Sequence, residues 1–145
     1  AKRQFILSQA IALAVRDALS MYINDIEIKW PNDIYWHHHK LGGILIECTL
    51  TGNNVKDSIL GVGLNINQTD FENLTKNPIS LKQIIHRDID RDNLLHTIAD
   101  DFAHYISMIN LGHYDSIAAD YMNTLYRRQG YHQYRDGGRF VRYIR

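Results

Sequence analysis

Between residues 26 and 67 the hydrophobic pattern drops the helical period found on either side, which confines the chain to a sheet packed against helices. Before the switch, Phe5, Ile6, Ala10, Leu13, Ala14 and Leu19 recur at three- and four-residue steps with no Gly or Pro between Phe5 and Tyr22. That spacing predicts an amphipathic helix. Asn24-Asp25 breaks it, and Ile26-Glu27-Ile28-Lys29-Trp30 alternates branched apolar and charged residues as a strand does. Pro31 has no N–H for a ladder, so the strand stops there or lies at an edge. A short strand around Ile34-Tyr35-Trp36, a polar tip at His37-His38-His39 and a second, more buried strand from Leu41 to Cys48, interrupted by Gly42-Gly43, form a hairpin. After a turn at Thr51 to Asn54, Ser58 to Asn67 reads as a further strand with glycines at alternate positions.

The helical period then returns. Ser80-Leu81-Lys82-Gln83 has the Ser-x-x-Gln form of a capping box, and Asp90 opens a helix whose stripe runs from Leu94 to Ile109 and closes at Gly112. Another helix is expected over 114–125. Tyr131 to Tyr134 and Phe140 to Ile144 flank Asp136-Gly137-Gly138-Arg139, a hairpin signal. The expectation is an α/β (α+β) fold, a mixed, largely antiparallel sheet backed by helices over 1–124, followed by the start of a small β unit over 125–145.

Composition excludes some chemistry. The 145 residues carry 16 Lys+Arg against 16 Asp+Glu, which argues against a generic polyanion binder. No run approaches the roughly 18 apolar residues of a membrane helix, and the first residues lack a signal-peptide cleavage pattern, so a cytoplasmic protein is expected. The single cysteine, Cys48, lies in an apolar run and reads as a small buried side chain rather than a nucleophile.

Chemistry-bearing residues concentrate in three stretches: Lys29-Trp30-Pro31-Asn32-Asp33, Lys40-Leu41-Gly42-Gly43-Ile44-Leu45-Ile46-Glu47, and Gly61-Val62-Gly63-Leu64-Asn65-Ile66-Asn67. Each alone reads equally as a tight turn or as strands made to approach closely. Together they offer a cation, oxygen ligands and glycine-bared backbone in one volume, a combination suited to a phosphate-bearing ligand. Trp30 is expected to pack under its turn.

These three stretches, in this order, resemble the biotin protein ligases, whose signature is a Lys-Trp-Pro-Asn-Asp turn, a Lys-Leu-x-Gly-Ile-Leu-x-Glu strand and a Gly-x-Gly-x-Asn strand. The resemblance implies a class II synthetase-like core and, from about Leu125, the beginning of an SH3-like domain. It implies an enzyme that condenses biotin with ATP, aided by Mg²⁺, to biotinyl-5′-AMP and passes biotin to a lysine of a biotin carboxyl carrier protein. Carried over by position, Lys40 would be the catalytic lysine at the biotin carboxylate and α-phosphate. Gly43, Ile44 and Leu45 would line the biotin ring pocket, and Lys29, Asn32, Asp33, Gly61, Gly63 and Asn65 would bind ATP or the adenylate. Asn32 and Asp33 would also serve Mg²⁺, although Asp33 could instead cap its turn. The family's glycine- and arginine-rich biotin loop lies upstream of its first long helix, so the chain is expected to be a fragment without it. No DNA-binding domain or membrane segment is expected, and a homodimer fits the resemblance.

Two other readings compete. A lipoate-type ligase or acyltransferase of the same fold would share much of the pattern. The final stretch, with Arg127, Arg128, Arg135, Arg139, Arg142 and Arg145 among aromatic residues, also suits a nucleic-acid binding module. The three adjacent histidines read as a solvated loop, because neighbouring strand residues point to opposite faces and no carboxylate is fixed beside them.

Overall fold

The computed structural model describes residues 2–72, 77–136 and 139–144. Helix α1 (Lys2–Leu19) is the long amphipathic helix, and Ala10, Leu13, Ala14, Val15, Ala18 and Leu19 on it are fully buried. It ends at Leu19, and Asp25, at a left-handed φ of 62°, leads the chain into β1 (Ile26–Lys29). Strands β2 (Asp33–Trp36), β3 (His39–Thr51) and β4 (Asn54–Leu64) follow, and the sheet order is β1-β2-β3-β4 with every pairing antiparallel.

One face of this sheet rests on α1. Ile26, Ile28, Ile34 and Ile44 point that way and join the helical residues in one core. Beyond α1 lie α3 (Arg91–Asn110) and α4 (Tyr114–Asn123), both packed on it. Asp90 caps α3 by accepting from the Asp92 and Asn93 N–H groups, and Gly112 leaves its end at φ 81°. The Tyr105 hydroxyl on α3 donates to Asp17 on α1 at 2.6 Å, and burial together with that bond pushes the phenol well above its ordinary range. The short α2 (Leu81–Ile85) opens with the expected capping box: Ser80 accepts from the Gln83 N–H, and Gln83 accepts from the Ser80 N–H. A separate two-stranded sheet joins β5 (Tyr131–Asp136) to β6 (Arg139–Ile144), and its Gly137-Gly138 turn lies outside the described residues.

Three features differ from the sequence reading. Gly42-Gly43 does not interrupt β3; the irregularity is a bulge, where Ile34 pairs with Gly42 and Tyr35 with Lys40, leaving Leu41 over. The extra residue buries Leu41 to 1% exposure while Lys40 stays in register with Tyr35 on the other face. Trp30 does not pack under its turn but is 56% exposed, just past the end of β1, where no neighbouring strand covers it. Cys48 is only half-buried, with its sulfur 3.2 Å from the Ser58 hydroxyl across β3 and β4.

Candidate active site

Residues directly opposite in an antiparallel pair point to the same face, so the register itself assembles the site on the side of the sheet away from α1. Lys29 pairs with Asp33, Asp33 with Gly43, and Gly43 with Gly63, which makes one row across four strands. Glu27, Tyr35 and Lys40 form the next row, and Leu45 with Gly61 lies on the other side. Seven of the residues singled out in the sequence therefore share this face.

Lys40 is held at several points. Its ammonium lies 2.8 Å from the Asp33 carboxylate, both side chains being under one third exposed. Its N–H donates to the Asn77 carbonyl, and its carbonyl accepts from the Ile79 N–H, so residues 77–79 run beside it as a strap. The same carbonyl accepts a longer bond, 3.3 Å, from the Asn65 amide, whose oxygen in turn accepts from Gln68. Neither the strap nor Gln68 is visible in the sequence, since both come from a loop without periodic signal.

Asn32 is equally fixed. Its side-chain N–H donates to the Ile44 carbonyl at 2.7 Å and its own carbonyl accepts from the Ile44 N–H at 2.8 Å, which leaves its side-chain oxygen for something outside. The buried Tyr121 hydroxyl on α4 donates to the Pro31 carbonyl and backs this turn from behind, while burial raises that phenol above its ordinary range. Ile44 itself faces the core at 3% exposure, while Leu45 is 61% exposed on the open face. A cleft of about 370 Å³ opens beside them, walled by Phe5, Ser8, Pro31, Asn32, Ile44 and Leu45.

The glycines separate into two kinds. A methyl on Gly42 would sit 2.2 Å from the Gly63 carbonyl oxygen, so the chain's own packing requires glycine there. A methyl on Gly63 would meet nothing nearer than 3.9 Å, and one on Gly61 nothing nearer than 3.7 Å. On Gly43 the nearest atom is the Asp33 carboxylate oxygen at 3.2 Å, with the Lys40 ammonium at 3.8 Å. Gly43, Gly61 and Gly63 thus bare the backbone in front of the charged pair without any steric demand from the fold at the last two.

Lys29 stands apart from Lys40. Its ammonium donates to the Tyr35 hydroxyl at 3.2 Å and lies 4.8 Å from that ring's centre. Among the described residues no group of three or more His, Cys, Asp or Glu side chains could hold a metal ion. Asp33 and Asn32 supply a carboxylate and an amide oxygen, a donor set suited to Mg²⁺ that keeps waters and phosphate oxygens in its shell. The histidine tip is exposed but not unattached: His37 packs edge-on to Trp36, and His38 bonds Tyr126 at 2.8 Å. No helix of the described residues is long and apolar enough to cross a membrane.

The site is thus an antiparallel four-stranded sheet on a long helix that presents a lysine–aspartate pair over a glycine floor. Residues 2–65 match the model of the biotin/lipoate A/B protein ligase family. Biotin--protein ligase 2 of Arabidopsis thaliana is 43% identical over 67 residues, 43% of this chain and 20% of that protein. The biotin--[acetyl-CoA-carboxylase] ligase of Paracoccus denitrificans is 29% identical over 111 residues, 72% of this chain and 46% of that protein. The chain thus spans less than half the length of either relative. The Aquifex aeolicus biotin protein ligase, solved in complex with biotin and ATP, superposes with a TM-score of 0.76 at 21% identity, covering 95% of this chain and 58% of that one. The fold is the class II synthetase-like core of such proteins.

Proposed function

We propose that this protein activates biotin with ATP and transfers it to a lysine of a biotin carboxyl carrier domain. The observation that carries the reading is the Lys40 ammonium, 2.8 Å from Asp33 and facing backbone bared by Gly43 and Gly63. A free carboxylate is a poor acyl donor; as biotinyl-5′-AMP it gains AMP as a leaving group, and pyrophosphate departs in the first step. Negative charge grows on the α-phosphate during that step, and a preorganised ammonium beside it stabilises the transition state. Asp33 keeps the flexible lysine stem in one place before substrates arrive.

In this reading the cleft beside Leu45 takes the biotin ring, and Gly43 lets the ureido group approach the backbone. Asn65 keeps one free donor and one free acceptor on its amide, enough to read an adenine edge while still bonded to Lys40 and Gln68. Asn32 and Asp33 would hold Mg²⁺, which supplies charge neutralisation at the phosphates. Lys29 adds positive potential, and Gly61 extends the floor. A carrier domain as acceptor, a homodimer and a cytoplasmic location accompany this proposal, as does a division into a catalytic unit over 1–124 and a second β unit from 125. Lys29 to Leu45 carries the Trp-Pro-Asn-Asp turn and Gly-Ile-Leu strand that favour biotin over lipoate. Of the arginines invoked for nucleic acid, Arg145 lies outside the described residues.

The test is calorimetric titration of biotinyl-5′-adenylate, together with biotin-dependent exchange of pyrophosphate into ATP. Replacing Lys40→Ala should lower the exchange rate on the order of 10²–10³-fold, the usual loss for one such donor. Wild-type protein that neither binds the adenylate nor exchanges pyrophosphate overturns the proposal.

A further inference from the structure

We infer that Tyr126 is a positioning residue for the hairpin that carries Lys40, an inference that rests on the ligase reading above. Tyr126 lies just after α4, far from the three motifs in sequence. Its N–H donates to the Ile28 carbonyl at 2.9 Å, and the Ile28 N–H donates to the Thr124 carbonyl at 2.9 Å. This short parallel bridge between Ile28 and Leu125 covers the outer edge of β1 and fixes the backbone from which the Tyr126 ring departs.

The ring then reaches across the open face. It packs on Tyr35 with centroids 5.2 Å apart, while its hydroxyl is hydrogen-bonded to His38 Nδ1 at 2.8 Å. Only 7% of Tyr126 and 8% of Tyr35 is exposed, so both rings have settled positions. Tyr35 is the register partner of Lys40 and the acceptor for the Lys29 ammonium; His38 is two residues before Lys40 in the connecting turn. One side chain therefore touches both arms of the approach to Lys40: the neighbouring strand through Tyr35, and the turn through His38. The strap at residues 77–79 grips Lys40 from the opposite edge of the hairpin.

The physical consequence concerns placement. A reacting group displaced by about 1 Å can cost on the order of 10² in rate with no contact to the chemistry lost. Truncating Tyr126 removes the backing from Tyr35 and the anchor from His38 together. Lys29, held by Tyr35, should loosen at the same time.

The experiment compares wild type with Tyr126→Ala, Tyr126→Leu and Tyr126→Phe by two readouts. The first is the kinetics of biotin-dependent pyrophosphate exchange, resolved into kcat and KM for biotin. The second is the rate of amine labelling at Lys29 across pH, with Lys82 on α2, paired with Asp88, as an internal control. Tyr126→Ala should lower kcat about 10- to 100-fold at unchanged KM and speed Lys29 labelling, leaving Lys82 unaffected. Tyr126→Phe keeps the ring and should recover to within about 10-fold of wild type, the usual scale of one hydrogen bond. Should Tyr126→Ala fail to fold, Tyr126→Leu, which preserves much of the volume, carries the same expectations. Wild-type kcat and wild-type Lys29 labelling in a folded Ala or Leu variant overturn the inference. A fall in the amount of folded protein that accounts for all lost activity overturns it equally. Wild-type protein inactive with biotin and ATP counts against the ligase reading alone, and Lys29 labelling then still decides whether Tyr126 positions the hairpin.

Discussion

Two alanine substitutions on neighbouring strands should behave in opposite ways. In Gly42→Ala the new methyl would lie 2.2 Å from the Gly63 carbonyl oxygen, 2.8 Å from Leu64 Cδ2 and 3.0 Å from Leu64 Cα. Ordinary contact between carbon atoms is about 3.5–4.0 Å, so the overlap exceeds 1 Å in part against backbone that the β3–β4 ladder holds. Overpacking of this kind costs about 1–3 kcal/mol. For a domain near this size each kcal/mol moves Tm by roughly 2–4 °C, so a fall of some 2–12 °C is expected. In Gly63→Ala the nearest atom is a carbonyl oxygen at 3.9 Å, and the backbone there is not in the left-handed region. Its Tm should hold or rise slightly, since alanine narrows the unfolded ensemble by about 0.4–1 kcal/mol. The cost should appear in binding instead, because the methyl fills the floor on which the adenylate is proposed to lie. A penalty of about 1–3 kcal/mol there corresponds to roughly 5- to 150-fold in Kd. Differential scanning calorimetry and titration of biotinyl-5′-adenylate measure the two halves separately. Gly63→Ala that melts as low as Gly42→Ala, or that binds adenylate as tightly as wild type, refutes the separation of structural from ligand-serving glycines.

Two other substitutions probe the scaffold. Burial pushes the Glu27 carboxyl above its ordinary value of 4.5, opposed by His38, His37 and His132 and reinforced by Asp25. A raised folded-state value means the native state holds its proton longer, so this group favours folding in acid and loses that contribution as pH rises through 4.5 and above. Glu27→Gln should therefore melt higher than wild type at pH 7, with the gap closing toward pH 4; a gap that widens on acidification contradicts this. Ser80→Ala removes a fully buried hydroxyl that caps α2 and should cost about 1 kcal/mol, a Tm fall of roughly 2–4 °C that thermal denaturation would register; an unchanged Tm means the Gln83 N–H finds another acceptor.

How much of this was legible beforehand depends on the range of the interaction. The helix from Lys2 to Leu19, the capping box at Ser80 and the strand alternation around Ile26 to Lys29 rest on residues within a few positions of one another, and local period exposes them. The bulge at Leu41 did not show, because a doubled glycine marks a weak point in a strand without saying which residue will be left over. Trp30 differs for a related reason: a large aromatic side chain favours burial in general, but Trp30 lies beyond the last residue of β1 and is 56% exposed. Tyr126, Tyr121 and the strap at 77–79 meet the hairpin or its turn across dozens of residues, and no pattern in their own segments announces it.

The site shows the same division more sharply. As residue types Gly42, Gly43, Gly61 and Gly63 read alike, as positions that let something approach the backbone, and the resemblance alone gives ligand roles to the last three. The register supplies the physical reason: Gly42 is on the α1 side of the sheet, and the others share the face of the charged pair. At Gly42 the approaching atoms belong to the chain. At Gly61 and Gly63 neither a left-handed backbone nor a crowded neighbour calls for glycine, although a β-branched residue would suit a strand better. A residue that weakens its own strand and relieves no internal contact fits the proposal that a ligand lies against that backbone, beside the positive charge of Lys40.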